Sequence, residues 1–284
     1  MGTSPIFVGM RDKPVVIWKN RRLWEFSELR KYRELFWMLA WRDFKVRYAQ
    51  TFIGVLWGVI QPVLTIVILY VVFGRFAQVD TGDIPHIVYS TVGVMAWTYF
   101  AFVLSNAGNS IISAQAMIRK IYFPRIIIPL SKAVVGFIDM AITSAILVVL
   151  MFVFEVPVSS NILFLPLFII FNVLVSLGLG ILISALTIRY RDVQYVVPFA
   201  IQLGLYITPT AYPAEFAITH LPSWASVLYF MNPMAGIVEG YRWAVLGTPM
   251  PGELAWVSVI SAVVLIVVGL TYFQKVDGKI ADHV

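Results

Sequence analysis

The sequence predicts an all-α membrane protein, and three observations carry that prediction. Hydrophobic residues make up 60% of the 284 positions and charged residues only 13%, against roughly 25% charge in an average soluble domain. Several predominantly apolar stretches reach about 20 residues or more, the length a helix needs to cross a hydrocarbon core of about 30 Å, and they exclude a barrel of short alternating strands. Finally, when the stretches are threaded as six spans, all of the 21 Lys and Arg except Arg75 and Arg242 fall on one side, as the positive-inside rule requires. The expected architecture is six transmembrane helices, an N-terminal amphipathic interface helix, and re-entrant half-helices before the last span, with both termini cytoplasmic.

Residues 1–27 lack clear periodicity and carry Arg11, Lys13, Lys19, Arg21 and Arg22, which suits a cytoplasmic N-terminal segment. They hold no signal-peptide apolar region, so the first span is expected to direct insertion. An interface helix follows at 28–50. Trp37, Trp41, Phe44 and Tyr48 recur at i, i+4, i+7 and i+11, giving one aromatic stripe with Arg42, Lys45 and Arg47 off it. A helix of this kind belongs on the cytoplasmic surface of a membrane; the competing reading is a core helix of a soluble domain.

The transmembrane domain is expected over 51–273. Span one covers 51–73, with Pro62 near its middle, and the link from Ala49 to Gly54 joins it to the interface helix. Span two covers 87–112 and runs into the basic loop Arg119–Arg125 (RKIYFPR). Spans three, four and five cover 126–154, 162–187 and 193–212. Between 213 and 250 the chain is apolar but broken by Pro213, Pro222, Pro233, Gly236, Gly240 and Pro249, so no piece is long enough to span and re-entrant or interfacial half-helices are expected. Span six covers 254–273, and 274–284 reads as a short, soluble cytoplasmic tail.

Much chemistry is excluded. Zero cysteines remove disulfide and thiolate chemistry, and His86, His220 and His283 show no metal-ligand spacing. No phosphate-binding GxxxxGK[ST] loop or GxGxxG motif exists, and no Ser/His/Asp arrangement is evident, so no catalytic residues, metal or cofactor are assigned to this chain. The pI near 9.5 follows membrane topology, which argues against nucleic acid. Asp139 is the one acid deep in a predicted span. A structural role, satisfied by Lys132 and Thr143 on its own helix, is favoured over a proton-carrying one. Ser176, Gly180 and Ser184 form a small-residue ridge for close helix packing.

Three spans share a mixture of uncharged polar groups and aromatics: Trp57, Gln61 and Thr65; Thr98, Phe102, Ser105 and Asn109; Tyr195, Phe199, Gln202 and Tyr206. Hydroxyls, amides and rings suit a sugar chain and also suit helix packing; their recurrence on three spans favours a lined conduit. With no internal repeat, a symmetric pore would need a second copy. Charge alone explains the loop Arg119–Arg125 as an anchor, but Tyr122 and Phe123 beside Arg119 and Lys120 also offer a grip for a soluble partner.

The sequence resembles the transmembrane (permease) subunits of ABC exporters for O-antigen, teichoic acid and related polysaccharides, of the type-2 exporter class. The resemblance rests on Tyr32–Leu35 (YREL), Arg42–Tyr48 (RDFKVRY), Phe52–Gly58 (FIGVLWG) with Gln61 and Pro62, and Arg119–Arg125 followed by Pro129, Leu130 and Ser131. It continues through Arg191 and Asp192, Thr208–Pro213 (TPTAYP), Asn232–Met234 (NPM) and Glu239–Arg242 (EGYR). It implies a homodimer with two cytosolic ATP-binding subunits that bind ATP and Mg, in a bacterial plasma (inner) membrane, exporting a polyprenyl-diphosphate-linked glycan. It also implies that the interface helix, with Trp37, Trp41 and Phe44, and the segment 113–124, with Arg119, Lys120, Tyr122 and Phe123, dock on the ATPase. By the same resemblance Trp57, Tyr70, Phe199, Tyr206 and Tyr212 are channel-ring positions beside Gln61, Thr65, Thr98, Phe102 and Gln202. Arg42, Lys45 and Arg47 would attract the lipid diphosphate, although anionic membrane lipid explains them equally. Two other readings stay open: a membrane transferase acting on lipid-linked sugars, for which Glu215, His220 and Glu239 are the only cluster, and a small-solute channel or secondary carrier.

Overall fold

The computed structural model describes residues 30–48, 54–250 and 252–283. The expectations for residues 1–27 and for most of the link after Tyr48 lie outside the described residues. The chain forms α1 (Arg33–Tyr48), α2 (Gly54–Leu69) prolonged by a π-helical turn (Tyr70–Phe76), α3 (His86–Gly108), the short α4 (Ser110–Ser113) and α5 (Gln115–Ile118), and α6 (Ile127–Val153). A 3-10 segment (Ser160–Phe164) leads into α7 (Leu165–Arg189), followed by α8 (Val193–Ile207), α9 (Ala214–His220), α10 (Ser223–Phe230), α11 (Pro233–Leu246) and α12 (Ala255–His283). Every regular element among the described residues is helical.

Five of these helices are long and apolar enough to cross a membrane: Leu56–Phe76, His86–Gly108, Ile127–Val153, Ser160–Arg189 and Ala255–Asp277. They are not equivalent. In α3, 78% of the apolar window is buried inside the protein, against 17 to 33% in the others, because α3 packs against α2, α6, α7, α8 and α11. It is the axis on which the other elements are arranged. The ridge on α7 packs as expected: Ser176 and Ser184 are buried, and a Cβ on Gly180 would lie 2.7 Å from the Ala107 Cβ of α3.

Three expectations need adjustment. The fifth predicted span, 193–212, is a helix only to Ile207; Thr208 is extended (φ −74°, ψ 144°), as the residue before a proline prefers. At 15 residues and about 1.5 Å per residue, α8 is shorter than a hydrocarbon core of about 30 Å. The predicted tail at 274–284 does not leave the helix after span six, since α12 runs on to His283. Arg125 fastens this extension by hydrogen-bonding the Asp277 carbonyl and pairing with its carboxylate at 3.4 Å.

The aromatic stripe of α1 is packed only at its C-terminal end. Tyr48 is buried, as are Leu39 and Ala40 off the stripe, while Trp37 and Trp41 are about 60% exposed; Leu39 joins a cluster with Ile111, Phe123, Ile127, Ile128, Ile181 and Phe273. Lastly, Asp139 is not paired with Lys132. Lys132 pairs with Asp43 of α1, and Asp139 is met by Arg47 and Tyr48. Both carboxylates therefore tie α1 to α6.

The broken region contains three helices, of 7, 8 and 14 residues, headed by Pro213, Pro222 and the pair Asn232 and Pro233. Proline suits these starts because its fixed φ fits a first turn and its missing N–H would have no partner there. The Asn232 side chain accepts from Met234 N at 3.0 Å, capping α11.

Candidate functional site

A cavity with a volume of about 600 Å³ opens between α2, α3, α6 and α8. From α2 it is lined by Gln61, Pro62 and Thr65; from α3 by Trp97, Thr98, Phe102 and Ser105; from α8 by Pro198, Gln202 and Tyr206. The 3.6-residue period explains the grouping, since each set recurs at three- and four-residue steps on one helix face. Six of the sequence-predicted lining residues thus meet in one space: Gln61, Thr65, Thr98, Phe102, Gln202 and Tyr206. Much of the polarity is already tied internally: Thr65 donates to the Gln61 carbonyl at 3.0 Å and Thr98 to the Met95 carbonyl at 3.2 Å.

The other four predicted lining residues lie elsewhere. Trp57 and Phe199 are exposed, at 58% and 61%, on the two helices that flank the cavity. Tyr70 takes a hydrogen bond from Arg75 at 3.0 Å and lies 6.2 Å from the His86 ring. Tyr212 is buried, donates to the Tyr206 and Ile207 carbonyls at 3.0 and 2.9 Å, and packs 5.5 Å from Phe73. It closes the end of α8 instead of facing the cavity.

Charge reaches the cavity only at Arg47 and Asp139. The guanidinium bonds the carboxylate at 2.9 Å and stands 4.3 Å over the Phe102 ring. Tyr48 donates to the other carboxylate oxygen at 2.8 Å; burial, and then that hydrogen bond, push its phenol above its ordinary pKa of 10.0, so at neutral pH it is a donor. Arg42 and Lys45, the other two diphosphate candidates, point away. Arg42 is 51% exposed and pairs with Asp43 at 2.8 Å, and exposed Lys45 lies 5.5 Å over the Trp41 ring.

Of the residues expected to meet an ATPase, Trp37, Trp41 and Tyr122 are exposed, at 60%, 58% and 64%. Phe44 is half-buried between Trp41 and Tyr48, and Arg119 and Lys120 are exposed. Phe123 is 4% exposed and serves the core instead. Of the transferase candidates, Glu239 is bound by Arg242 at 2.9 Å and Glu215 is exposed, while the side chain of His220 lies outside the described residues.

Sequence reading missed Arg242, which it treated as a loop cation. Its side chain is fully buried and pairs with Glu239 at 2.9 Å. It also donates to the carbonyls of Thr210 at 2.8 Å and Tyr212 at 3.1 Å and stands 3.8 Å over the Tyr89 ring. Glu239 in turn accepts from Ala214 N at 2.9 Å, and Asn232 donates to the Thr208 hydroxyl at 2.8 Å. The non-helical segment 208–213, the TPTAYP stretch itself, is therefore held by residues of the NPM and EGYR stretches. The available signal was that Arg242 closes the EGYR motif in a region broken by prolines.

The sequence profile of ABC-2 type transporters matches residues 34–246. The chain is 29% identical over 242 residues to the O-antigen export system permease protein RfbA of Klebsiella pneumoniae, an alignment covering 85% of this chain and 91% of that one. It is 23% identical over 215 residues to RfbA of Myxococcus xanthus, covering 76% and 81%. It is also 23% identical over 224 residues to the polysialic acid transport protein KpsM of Escherichia coli, covering 75% and 80%. With its five membrane-length apolar helices and a family profile extending from α1 to the end of α11, this chain belongs to the ABC-2 type transporter family and is a multi-pass membrane protein.

Proposed function

We infer that this chain is the permease subunit of an ATP-driven exporter that carries polysaccharide across the plasma membrane. The observation that carries the reading is similarity to O-antigen and polysialic acid transport proteins over most of both chains, joined to a cavity whose walls mix amides, hydroxyls and rings. Sugars present hydroxyls to the first two and C–H faces to the last. The substrate is read as a glycan linked to polyprenyl diphosphate. ATP and Mg are bound by two copies of a separate cytosolic subunit.

A homodimer fits the open side of the cavity. Trp57, Tyr195 and Phe199 lie on α2 and α8, which also line it, and are 58 to 74% exposed, so a second copy would cover them and close a conduit between two equal walls. The six-span count is retained as part of this reading, with α8 and the extended segment 208–213 together making the fifth crossing. Non-helical backbone is tolerated at membrane depth where protein satisfies it, which the Arg242 and Asn232 contacts do. On this reading α9 to α11 are re-entrant at the outer mouth, and both termini are cytoplasmic.

The test is export in cells that lack the native permease. Gln61→Leu combined with Gln202→Leu removes both amides from the cavity and is expected to lower surface polysaccharide about ten-fold or more while the complex with the ATPase still co-purifies. Full export by the double variant would sink the conduit reading. Flux of a small solute through the reconstituted chain alone would favour a carrier instead.

A further inference from the structure

Arg47 and Phe102 form a wall between two cavities. On one side is the space described above; on the other is a second cavity of about 460 Å³, lined also by Asp43, Val46, Asn106, Lys132 and Val135. Arg47 and Phe102 are the residues the two spaces share. The wall is held by the Arg47 to Asp139 ion pair at 2.9 Å, whose side chains retain 34% and 12% exposure, with the guanidinium laid over the ring.

Both cations that line the second cavity are paired: Lys132 with Asp43, which lines it too, and Arg47 with Asp139, which lines the first cavity. A guanidinium presents a planar fork of donors that fits phosphate as well as carboxylate, and charge-assisted bonds to phosphate rank among the strong ones. A carboxylate already seated on Arg47 is chemically a weaker version of the same ligand.

We propose that Arg47 is a phosphate-operated gate: Asp139 is its resident internal anion, and a phosphate or diphosphate ester entering the second cavity takes Arg47 from Asp139, lifts it off Phe102 and joins the two cavities. The inference rests on the export reading, because a lipid-linked glycan brings such a group to this side of the cavity. Phe102 is the hinge surface and Lys132 the second cation beside the anion.

The measurement is equilibrium binding of inorganic diphosphate to the purified full chain in lipid nanodiscs. Asp139→Asn removes the competing anion and is expected to tighten binding about ten-fold, whereas Arg47→Gln abolishes it and Arg47→Lys restores part of it. A merely structural ion pair would move both variants in one direction, so Asp139→Asn binding no tighter than wild type, or Arg47→Gln binding equally well, overturns the gate. Should Asp139→Asn not yield monodisperse protein, Tyr48→Phe leaves Asp139 leaning more heavily on Arg47 and is expected to weaken binding about threefold; unchanged binding there overturns it too. Farnesyl diphosphate competing at lower concentration than inorganic diphosphate supports a lipid headgroup as the occupant, and equal potency overturns that source. Binding needs neither ATPase nor glycan, so a failed export reading leaves these results standing, and a failed gate leaves cellular export by the wild type intact.

Discussion

Arg242 and Arg47 each hold a carboxylate at 2.9 Å, the first beside Tyr89 in the opening turn of α3 and the second over Phe102 near its end. Their surroundings differ. Arg242 has no exposure and spends its donors on two backbone carbonyls as well as on Glu239. Arg47 is one-third exposed, borders two cavities, and meets a single carboxylate and the rings of Phe102 and Tyr48. Removing a member of a buried pair strands its partner, while a pair in contact with solvent exchanges partners cheaply. The same two functional groups thus make a fixed staple at one end of α3 and an exchangeable contact at the other.

The largest effect should come from breaking the staple. Arg242→Met takes from Glu239 its fully buried cation and orphans the Thr210 and Tyr212 carbonyls, a loss of about 3–5 kcal/mol. It should show as a collapse in the fraction recovered as monodisperse protein in detergent. Equal recovery of Arg242→Met and Arg47→Met would erase the contrast. Next is Gly93→Ala, on the same side of the molecule. A Cβ at Gly93 would lie 2.1 Å from the Thr210 carbonyl oxygen, so the extended segment must shift. Overpacking of this kind costs about 1–3 kcal/mol, and thermal unfolding followed by aggregation of solubilised protein should register it.

Arg47→Met should cost less in the same unfolding assay, about 1–3 kcal/mol, because it orphans no backbone carbonyl and leaves Asp139 still bonded by Tyr48. Its effect belongs to transport: surface polysaccharide is expected to fall at least ten-fold although assembly with the ATPase persists. A large loss of stability with normal export per folded molecule would reverse the assignment and make Arg47 the staple.

The contrast between the two arginines also marks what the sequence made legible. Apolar runs long enough to span located five helices to within a few residues, because composition alone decides that hydrocarbon-length helices form. Helical spacing on α2, α3 and α8 likewise grouped Gln61, Thr65, Thr98, Phe102, Gln202 and Tyr206 before their cavity was known. Pairings across the fold were not legible. Asp139 lies 91 residues from Tyr48, and nothing in spacing distinguishes Lys132 on its own helix from Arg47 on another. Arg242 counted as a loop cation for the same reason, since its burial depends on an extended segment that a hydropathy pattern reads as the end of a span. On α1 the aromatic stripe was read correctly as a stripe, but Leu39 and Ala40, less conspicuous in sequence, carry the packing.

That last point leads to the smallest structural effect and a direct comparison of the two faces of α1. Trp41 is 58% exposed and contacts Phe44 and Lys45 on its own helix, so Trp41→Ala should change stability by no more than about 0.5 kcal/mol, as for surface positions generally. Leu39→Ala, two residues away on the opposite, buried face, removes a side chain at 2% exposure and should cost about 2–5 kcal/mol. If the exposed stripe receives an ATP-binding subunit, Trp41→Ala will weaken co-purification with that subunit and Tyr122→Ala will weaken it further, since aromatic anchors dominate such contacts. Undiminished co-purification by the double variant would move the docking surface elsewhere and leave Trp37 and Trp41 as residues facing lipid headgroups.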